Sequence, residues 1–409
     1  MLTAISQNGK LVSLCDGWTK AELEKARNNN TFFCPDCKEP LQMKLGSVKA
    51  WHFAHLRSTS CIQTFKCETD DHIQGKWFLY NWLKNQLLHP KIEKIIPDLN
   101  LRPDLMFGRN IIELQHSSIP FEQFKSRHQR YINASYNVRW LGLTTEASMP
   151  QHNIVTFSTL DGFFLSFPKE EHPLTLTSTL LNPYTGMFFK FCPQLYVSPR
   201  KTFSRITTFQ SSYSYRSLFD LSKDRNPPLS KHSLQHYFQV WNTQTRKERK
   251  RPRFAQKNKA EKQVATLLYQ YNLNLTMFPS LTRIPLPSQI FLDTPPQLWQ
   301  TWVILAYIHT FTPGSRFSID HLLRTFMKEL HTFHLRLLPF SKQNMVQRLL
   351  LEYLDVLSLF GVVHTDNRRS FTVVSHITVR KSPDQLLRDD EYILKIVKGY
   401  WEEKWLETI

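Results

Sequence analysis

The chain has 409 residues, which at about 100–200 residues per domain predicts two or three domains. Hydrophobic residues make up 41% of the sequence and charged residues 21%, which excludes a chain that is disordered or collagen-like throughout. The net charge of +18, from 52 basic and 34 acidic residues, favours a polyanionic partner such as nucleic acid. The sequence has neither an apolar stretch of bilayer length nor a secretory signal, so we expect no membrane association and a cytoplasmic location.

Composition and periodicity divide the chain into four predicted parts. They are a Cys/His-rich segment (1–62), an α/β domain (63–166), an aromatic and basic connecting region (167–262) and a helical C-terminal domain (263–409). In the last part, a long apolar-periodic stretch is followed by two short strand signals around a turn at 366–369. A helix that runs into a β-hairpin is how a winged helix ends, so a winged-helix-like C-terminal domain is one prediction.

The second part alternates helix and strand signals. Apolar residues recur at three- and four-residue steps over 68–87, which predicts a helix. Residues 99–107 and 111–115 are predicted strands joined by a turn, 121–136 is a predicted helix and 138–143 is a predicted buried strand. The order helix–strand–strand–helix–strand predicts an α/β domain.

The first part contains a predicted metal site. Cys34 and Cys37 have the two-residue gap that lets two thiolates bind one zinc ion from a tight turn. A tetrahedral site needs two further ligands, and His52, His55 and Cys61 compete for these places. We take the two histidines as the other ligands, with Cys61 as the alternative. Because so short a segment buries little core, we expect a structural role for the zinc. The other interpretation is a reduced cysteine pair beside two surface histidines.

Carboxylates recur on the predicted hairpin. Asp104 falls on its first strand and Glu113 on its second, and Gln115 leaves the second strand on the same face as Glu113. Two carboxylates that converge at one edge suit a hard divalent cation, which can activate water for attack on a phosphodiester. In the alternative interpretation, Asp104 is an ordinary turn residue and Glu113 is a charge on an edge strand. The preceding predicted helix carries a polar stripe formed by Glu68, His72 and Lys76. Its Glu68 would add a third carboxylate to the site.

Taken in order, these motifs resemble the competence protein CoiA family of Gram-positive bacteria. The matching residues all lie within about 1–145 and are Phe33, Cys34, Cys37, His52, His55, Cys61, Glu68, His72, Lys76, Arg102, Asp104, Glu113, Gln115, His116, Arg127, Tyr131 and Trp140.

The resemblance implies a zinc-finger-like N-terminal segment and a nuclease-like domain similar to restriction endonucleases. That superfamily has the site pattern Pro-Asp…(Asp/Glu)-x-Lys. By motif match, Asp104 and Glu113 would be its metal-binding carboxylates, Gln115 occupies the place of the lysine, and Glu68 would be the additional helix carboxylate. Family members act in natural transformation after DNA uptake and are thought to help incoming single strands recombine.

The sequence therefore predicts a nuclease dependent on Mg²⁺ or Mn²⁺ that acts on DNA during recombination, with Asp104, Glu113, Gln115 and Glu68 as catalytic residues. Because glutamine cannot act as a base or carry charge, Lys76 or the metal alone would supply the missing positive charge. Predicted DNA contacts are Lys76, His116, Arg127, Arg249, Lys250 and Arg251. Arg127 has a second interpretation, in which it ties its helix to the sheet.

A non-catalytic alternative uses the same basic surface. In it, the chain binds single-stranded or branched DNA and helps to load a RecA-type recombinase. Gln115 favours this function, as do aromatic residues of the third part such as Phe203 and Tyr213, which could stack unpaired bases. The basic run over 246–262 is either a solvated linker or a phosphate-binding arm. A third interpretation is an adaptor that docks the recombinase through the helical C-terminal domain.

Overall fold

The computed structural model describes residues 1–47, 49–56, 61, 68–145, 154–166, 176–219, 230–252 and 258–407. The chain forms two compact units. The first consists of Met1–Met149, Thr177–Phe191 and Ile206–Asp220, and the second of Pro150–Leu176, Cys192–Arg205 and Leu221–Ile409. Each unit has its own hydrophobic core.

The described residues up to 143 form nine short strands and three α-helices. In chain order the elements are β1 (Thr3–Ser6), β2 (Leu11–Ser13), α1 (Lys20–Asn29), β3 (Phe32–Phe33), β4 (Pro40–Lys44), β5 (His52–His55), α2 (Asp70–Lys84), β6 (Lys91–Ile92), β7 (Leu105–Phe107), β8 (Asn110–Gln115), α3 (Phe121–Asn133) and β9 (Asn137–Leu143).

Helices dominate the remainder. In chain order its elements are β10 (Ile154–Thr156), α4 (Thr159–Phe163), β11 (Ser178–Asn182), β12 (Met187–Ser198), β13 (Lys201–Phe209), α5 (Tyr215–Phe219), α6 (Lys231–Arg249), α7 (Lys259–Tyr269), α8 (Pro296–Thr301), β14 (Arg316–Ser318), α9 (Ile319–Lys328), α10 (Lys342–Leu359), β15 (Val363–His364), β16 (Ser370–Val373) and α11 (Pro383–Glu407).

An antiparallel sheet with the strand order β2-β1-β3-β4-β5 carries the cysteine motif. The tight turn between β3 and β4 contains Cys34 and Cys37, and β5 pairs with β4. Along β4, Leu41 and Met43 are buried and the residues between them are exposed, so one face of this sheet packs into the core of the first unit.

Within the first unit, the sheet that carries the acidic residues includes the strand order β12-β11-β9-β8-β7-β6, to which β12 contributes Met187–Phe191. Strands β6, β7 and β8 form an antiparallel meander, and β9 returns parallel to β8 after α3. Because successive side chains point to opposite faces, Leu114 faces α2 whereas Glu113 faces α3. Gly75 lets α2 approach closely, since a Cβ there would lie 3.0 Å from Cδ1 of Leu114.

In the second unit, helices enclose a core that includes Trp241, Trp299 and Tyr353. Helix α8 continues as a π-helical turn over Trp302–Tyr307. A small antiparallel sheet has the order β14-β16-β15, with α9 and α10 between β14 and β15 in the chain. Among the described helices, none combines the length and the apolar character needed to cross a bilayer.

The predicted mixed α/β architecture is confirmed, and so are the helix before the hairpin, the hairpin itself and the helix–strand pair that follows it. The first hairpin strand is shorter than predicted, because Pro97–Leu99 forms a 3₁₀ turn and β7 begins only at Leu105. Asp104 therefore lies in a bend before the strand rather than on it. Phe203 is fully buried, so it belongs to a core and not to a stacking surface.

Candidate functional site

Four side chains with metal-ligating atoms converge beside the first sheet. Their ligand atoms all lie within 4.8 Å of one another, and they belong to Cys34, Cys37, His55 and Cys61. The Cys34 and Cys61 sulphurs are 3.9 Å apart, and the Cys37 sulphur lies 3.3 Å from Nε2 of His55. Of the residues that the sequence left open, the structure thus brings in His55 and Cys61.

His52 lies outside this group of four. It is three residues from His55 on the same strand, so the two side chains leave opposite faces of the strand. The Nδ1 atom of His52 lies instead 2.8 Å from the carbonyl oxygen of Ala50. The pairing of His52 with His55 that the sequence favoured is therefore not the arrangement found, and Cys61 takes the fourth place.

The backbone of the cysteine turn is built for close convergence. Lys38 adopts a left-handed φ of 62°, and its N–H donates to the carbonyl oxygen of Cys34. Burial raises the pKa of Cys34 to about 12, although the backbone N–H groups of Cys37 and Asp36 act in the opposite direction. A thiolate is stable in such surroundings only beside a cation, which is the condition that a metal ion meets.

Asp104 is the centre of the second candidate site. Its Oδ2 atom accepts a hydrogen bond of 2.8 Å from the Leu114 N–H and lies 3.2 Å from Nε2 of His72. The same His72 nitrogen lies 3.2 Å from the carbonyl oxygen of Leu114. Burial alone would raise the pKa of Asp104, but His72, Lys76 and the Leu114 N–H hold it well below its usual range. Asp104 is therefore an anion in the folded protein.

Glu113 is held from the other side of the sheet by α3. Its Oε1 atom accepts hydrogen bonds from Arg127 at 2.7 Å and from the Tyr131 hydroxyl at 2.6 Å. The residue is only 2% exposed, and burial together with neighbouring Asp104 raises its pKa to about 7, against the lowering effect of Arg127 and Tyr131. Asp104 and Glu113 line the same cavity, but among the described residues of this site the ligand atoms that lie within 4.8 Å of one another belong to Glu68, His72 and Asp104, and not to Glu113.

Lys76 is a fully buried cation at the base of the site. Its Nζ atom donates to Glu68 at 2.7 Å and to Glu93, and it lies 3.9 Å from Oδ1 of Asp104. Burial alone would lower the pKa of Lys76, but these three carboxylates raise it above its ordinary value. Glu68, His72 and Asp104 also offer ligand atoms within 4.8 Å of one another.

Glu93 is a site residue that sequence analysis missed. Its carboxylate accepts hydrogen bonds from the backbone N–H groups of Leu2 and Thr3 as well as from Lys76. Its backbone φ is 48°, in the left-handed region. Between Ile92 and Lys94 it has no motif around it, so nothing in the local sequence signals its role.

The other predicted site residues near β8 and α3 each have a partner within the protein. Gln115 is at the end of β8, where its amide donates to the Ser117 carbonyl oxygen at 2.6 Å. His116 is beyond the strand, with Nε2 at 3.7 Å from Oδ2 of Asp71. Arg127 binds Glu113 and so ties α3 to β8, which was one of its two interpretations.

The basic run near the end of α6 is engaged within the second unit. The Arg249 side chain is 5% exposed and pairs with Asp390 at 2.7 Å, which gives it a structural position rather than a free surface one. Arg251 pairs with Glu261 at 2.6 Å. DNA contacts by Lys250 and Arg251 stay predictions, and residues 253–257 of the run lie outside the described residues.

A cavity of about 950 Å³ opens over the acidic residues. Its lining includes the carboxylates Glu68, Glu93, Asp104 and Glu113 together with Gln115, Ser117 and Arg127. Carboxylates combined with polar and basic groups in one cavity suit a hard cation and a charged substrate. The site can therefore hold a metal ion among oxygen ligands, with cations already placed to balance the charge.

Fold and site together define a protein with a nuclease-like domain preceded by a Cys/His cluster. Residues 68–223 match the family described as competence protein CoiA, nuclease-like domain. Residues 15–63 match the N-terminal domain and residues 237–385 the C-terminal domain of the same family. The chain belongs to the competence protein CoiA family, which confirms the resemblance seen in the sequence.

The chain is similar to the competence protein CoiA of Bacillus subtilis (strain 168). The two are 28% identical over 205 residues, which is 48% of this chain and 50% of that protein. The match thus spans about half the length of this curated relative. No solved structure matches the chain.

Proposed function

We propose that this protein processes DNA in natural transformation after uptake, and that its nuclease-like domain hydrolyses phosphodiester bonds with Mg²⁺ or Mn²⁺ during recombination. One observation carries the proposal. Glu68, His72 and Asp104 offer ligand atoms that lie within 4.8 Å of one another, and Glu113 lines the same cavity. Carboxylate oxygens that converge in this way suit a hard divalent cation.

The order of the elements supports a restriction-endonuclease-like fold for this domain. Helix α2 precedes the antiparallel meander β6-β7-β8, and α3 connects it to β9, which is parallel to β8. Asp104 lies just before β7 and Glu113 within β8, and in the proposed fold they would be the residues of the Pro-Asp and Asp/Glu motifs.

Each residue of the site would have its own task. Asp104 and Glu113 would hold the ion, and Glu68, whose ligand atom lies within 4.8 Å of that of Asp104, would be the additional carboxylate. When bound, the ion would lower the pKa of its water and stabilise charge on the phosphodiester. Gln115, which lines the cavity, would orient water or a phosphate through its amide.

The chain's own cations would replace the lysine that is missing at Gln115. Arg127 fixes Glu113, and Lys76 balances the charge of Glu68 and Glu93 below the site. Because Lys76 is fully buried, it would act through the carboxylates that it positions rather than on the substrate.

We propose zinc for the Cys/His cluster. Four ligands at about 2.0–2.3 Å from a tetrahedral zinc ion lie about 3.3–3.8 Å apart. The distances of 3.9 Å between Cys34 and Cys61 and 3.3 Å between Cys37 and His55 are close to these values. A closed set of four protein ligands favours a structural role.

The second unit supports a winged-helix-like arrangement, with α8, β14, α9, α10 and the β15–β16 hairpin in that order and a β14-β16-β15 sheet. We propose DNA, single-stranded or branched, as the partner, because the net charge of +18 favours a polyanion. A RecA-type recombinase is a proposed protein partner of the same pathway step.

The test is incubation of labelled single-stranded, duplex and branched DNA with purified protein and Mg²⁺ or Mn²⁺. We expect products with the wild type and their loss in Asp104→Asn and Glu113→Gln. Glu122→Gln, an exposed carboxylate on the same helix as Arg127, is the matched control and should cleave normally. Cleavage at the wild-type rate by Asp104→Asn would refute the assignment.

A non-catalytic DNA-binding mediator that helps to load a recombinase is the second candidate. The observation in its favour is that Arg127 and Tyr131 both already bind Oε1 of Glu113, as they would in a purely structural ion pair. DNA binding without products, in the wild type and in Glu113→Gln alike, would favour this candidate.

A further inference from the structure

We propose that a second groove of the first unit binds an unpaired DNA strand by base stacking, on the face of α2 opposite to the acidic site. The groove has a volume of about 1240 Å³, larger than the ~300–1,000 Å³ of ordinary small-molecule pockets. We call it the α2 groove. Its characteristic lining residues are Trp18, Trp51, Gln74, Trp77, Asn81 and Tyr184. The proposal rests on DNA being the partner, but not on cleavage.

Helical geometry separates the two sites. Gln74, Trp77, Asn81 and Asn85 recur at steps of three, four and four residues and so share one side of the helix and its C-cap. At about 100° per residue, Asn81 lies about 180° around the helix from His72, which faces Asp104. The α2 groove is thus distinct from the cavity that contains the carboxylates.

The aromatic rings of the groove are held in place by the protein itself. The indole N–H of Trp18 donates to the Ser13 carbonyl oxygen at 2.8 Å, and that of Trp77 donates to the Trp51 carbonyl oxygen at 3.3 Å. The Trp51 and Trp77 rings contact each other edge to face, with their centroids 6.5 Å apart. Because these N–H groups are already satisfied, the rings offer fixed apolar surfaces, which suit stacking and give no preference for one base.

Two rings are open to solvent at the rim of the groove. Trp18 is 38% exposed and Tyr184 is 58% exposed. Among the other lining residues, the side-chain amides of Gln74, Asn81 and Asn85 make no hydrogen bond within the described part of the chain, and they can donate to and accept from base edges or phosphates.

The charge of the groove complements a phosphate backbone. Three lysines line it, Lys20, Lys49 and Lys84, and no carboxylate does among the residues that the structure describes. Lys49 pairs with Asp70 and Lys20 weakly with Glu24, whereas Lys84 has no ion pair within the described ranges. A basic rim around aromatic surfaces is the combination by which proteins bind single strands without sequence preference.

An unpaired strand suits this chemistry better than a duplex does. In a duplex the base faces are stacked inside the helix, so exposed tryptophan and tyrosine rings would find no partner there. The lysines alone would bind duplex phosphates, but they would leave the aromatic surfaces unused.

The experiment measures binding of fluorescein-labelled oligothymidine to the full chain by anisotropy, without divalent metal so that no cleavage intervenes. We expect Trp18→Ala and Tyr184→Ala each to weaken binding about 5- to 100-fold, and Trp18→Phe to recover most of the loss. Tyr269→Ala, a tyrosine of the second unit that is 79% exposed, is the matched control and should change affinity less than about 2-fold. Lys84→Gln should reduce the salt dependence of binding.

A second measurement guards against variants that fail to fold. Photocross-linking of oligothymidine that contains 5-iododeoxyuridine to the wild type, followed by peptide mapping, should identify Trp18 or Tyr184. Cross-links confined to other residues would overturn the proposal, and so would wild-type affinity in both folded alanine variants or no binding by the wild type. Loss of cleavage in Asp104→Asn with normal binding would leave both proposals standing. Groove-dependent binding by a protein that never cleaves would overturn only the nuclease.

Discussion

Arg102 and Asp36 form an ion pair at 2.9 Å in which both side chains are largely buried. Asp36 lies inside the cysteine turn, and Arg102 is two residues before Asp104. This contact physically joins the Cys/His cluster to the bend that positions the acidic site. The cluster can therefore influence the acidic site, although it contributes no atom to it.

The ion pair gives a first prediction. Asp36→Asn should lower the free energy of unfolding by about 1–3 kcal/mol, because it leaves the buried Arg102 with a weaker partner. Urea unfolding followed by tryptophan fluorescence measures the loss. Asp98→Asn, at an exposed position of the same unit, should change the stability by less than about 0.5 kcal/mol. Equal stability of the two variants would contradict the importance of the contact.

Metal content gives a second prediction. The wild type and His52→Ala should each hold one zinc ion per chain by elemental mass spectrometry, because His52 lies outside the group of four ligands. His55→Ala and Cys34→Ser should bind zinc more weakly, and a chelator should remove it from them first. Cys15→Ser, a buried cysteine outside the cluster, is the control for thiol loss as such. Zinc loss in His52→Ala with retention in His55→Ala would reverse the assignment.

The buried lysine gives a third prediction. Lys76→Met should destabilise the protein by about 3–5 kcal/mol, because it removes the buried cation that Glu68 and Glu93 share. Adding Glu93→Gln should restore part of the loss, and a double-mutant cycle measures the coupling. Lys84→Met, on the exposed side of the same helix, should cost less than about 0.5 kcal/mol. A Lys76→Met protein as stable as Lys84→Met would show that the charge cluster contributes nothing.

The pH dependence of stability gives a fourth prediction. Burial raises the pKa of Glu352 to about 7, although Ser288 donates two hydrogen bonds to its carboxyl group. The unfolded chain loses this proton at about pH 4.5, before the folded protein does. The contribution of Glu352 is therefore most favourable below pH 4.5, and roughly 3 kcal/mol of it is lost as the pH rises through 7.

Glu352→Gln tests this linkage, because it removes the titration while retaining a side chain of the same size. Relative to the wild type, its free energy of unfolding should rise progressively between about pH 4.5 and 7. Glu403→Gln, at an exposed position of the same unit, should follow the wild-type pH profile. Parallel pH profiles for the wild type and Glu352→Gln would contradict the raised pKa.

Local signals predicted much of the fold and the chemistry of the site. The two-residue gap between Cys34 and Cys37 and the hairpin turn each depend on a few neighbouring residues, and each is found in the structure. Glu68 was predicted on the helix but lies just before its N-cap Thr69, although it does pair with Lys76 of α2. The choice between His52 and His55 was different, because it depends on which face of β5 meets the cysteine turn. Spacing alone does not determine that register.

Contacts distant in sequence were beyond local signals. Glu93 joins the site only because the fold brings it to Lys76, 17 residues earlier, and to the first strand, about 90 residues earlier. Arg249 belongs to a basic run that suggested an exposed arm, yet Asp390 of α11 holds it inside its unit. In both cases the deciding partner is far along the chain, where neither periodicity nor spacing reports it.

Helix α2 contributes side chains to both the acidic site and the α2 groove. On one side of the helix, His72 and Lys76 contact the carboxylates of the acidic site. On the other side, Trp77 and Asn81 line the α2 groove. Inserting or deleting a single residue within it would turn everything downstream by about 100° and misalign both sides together. Natural variants of this helix should therefore exchange residues in place while its length stays constant.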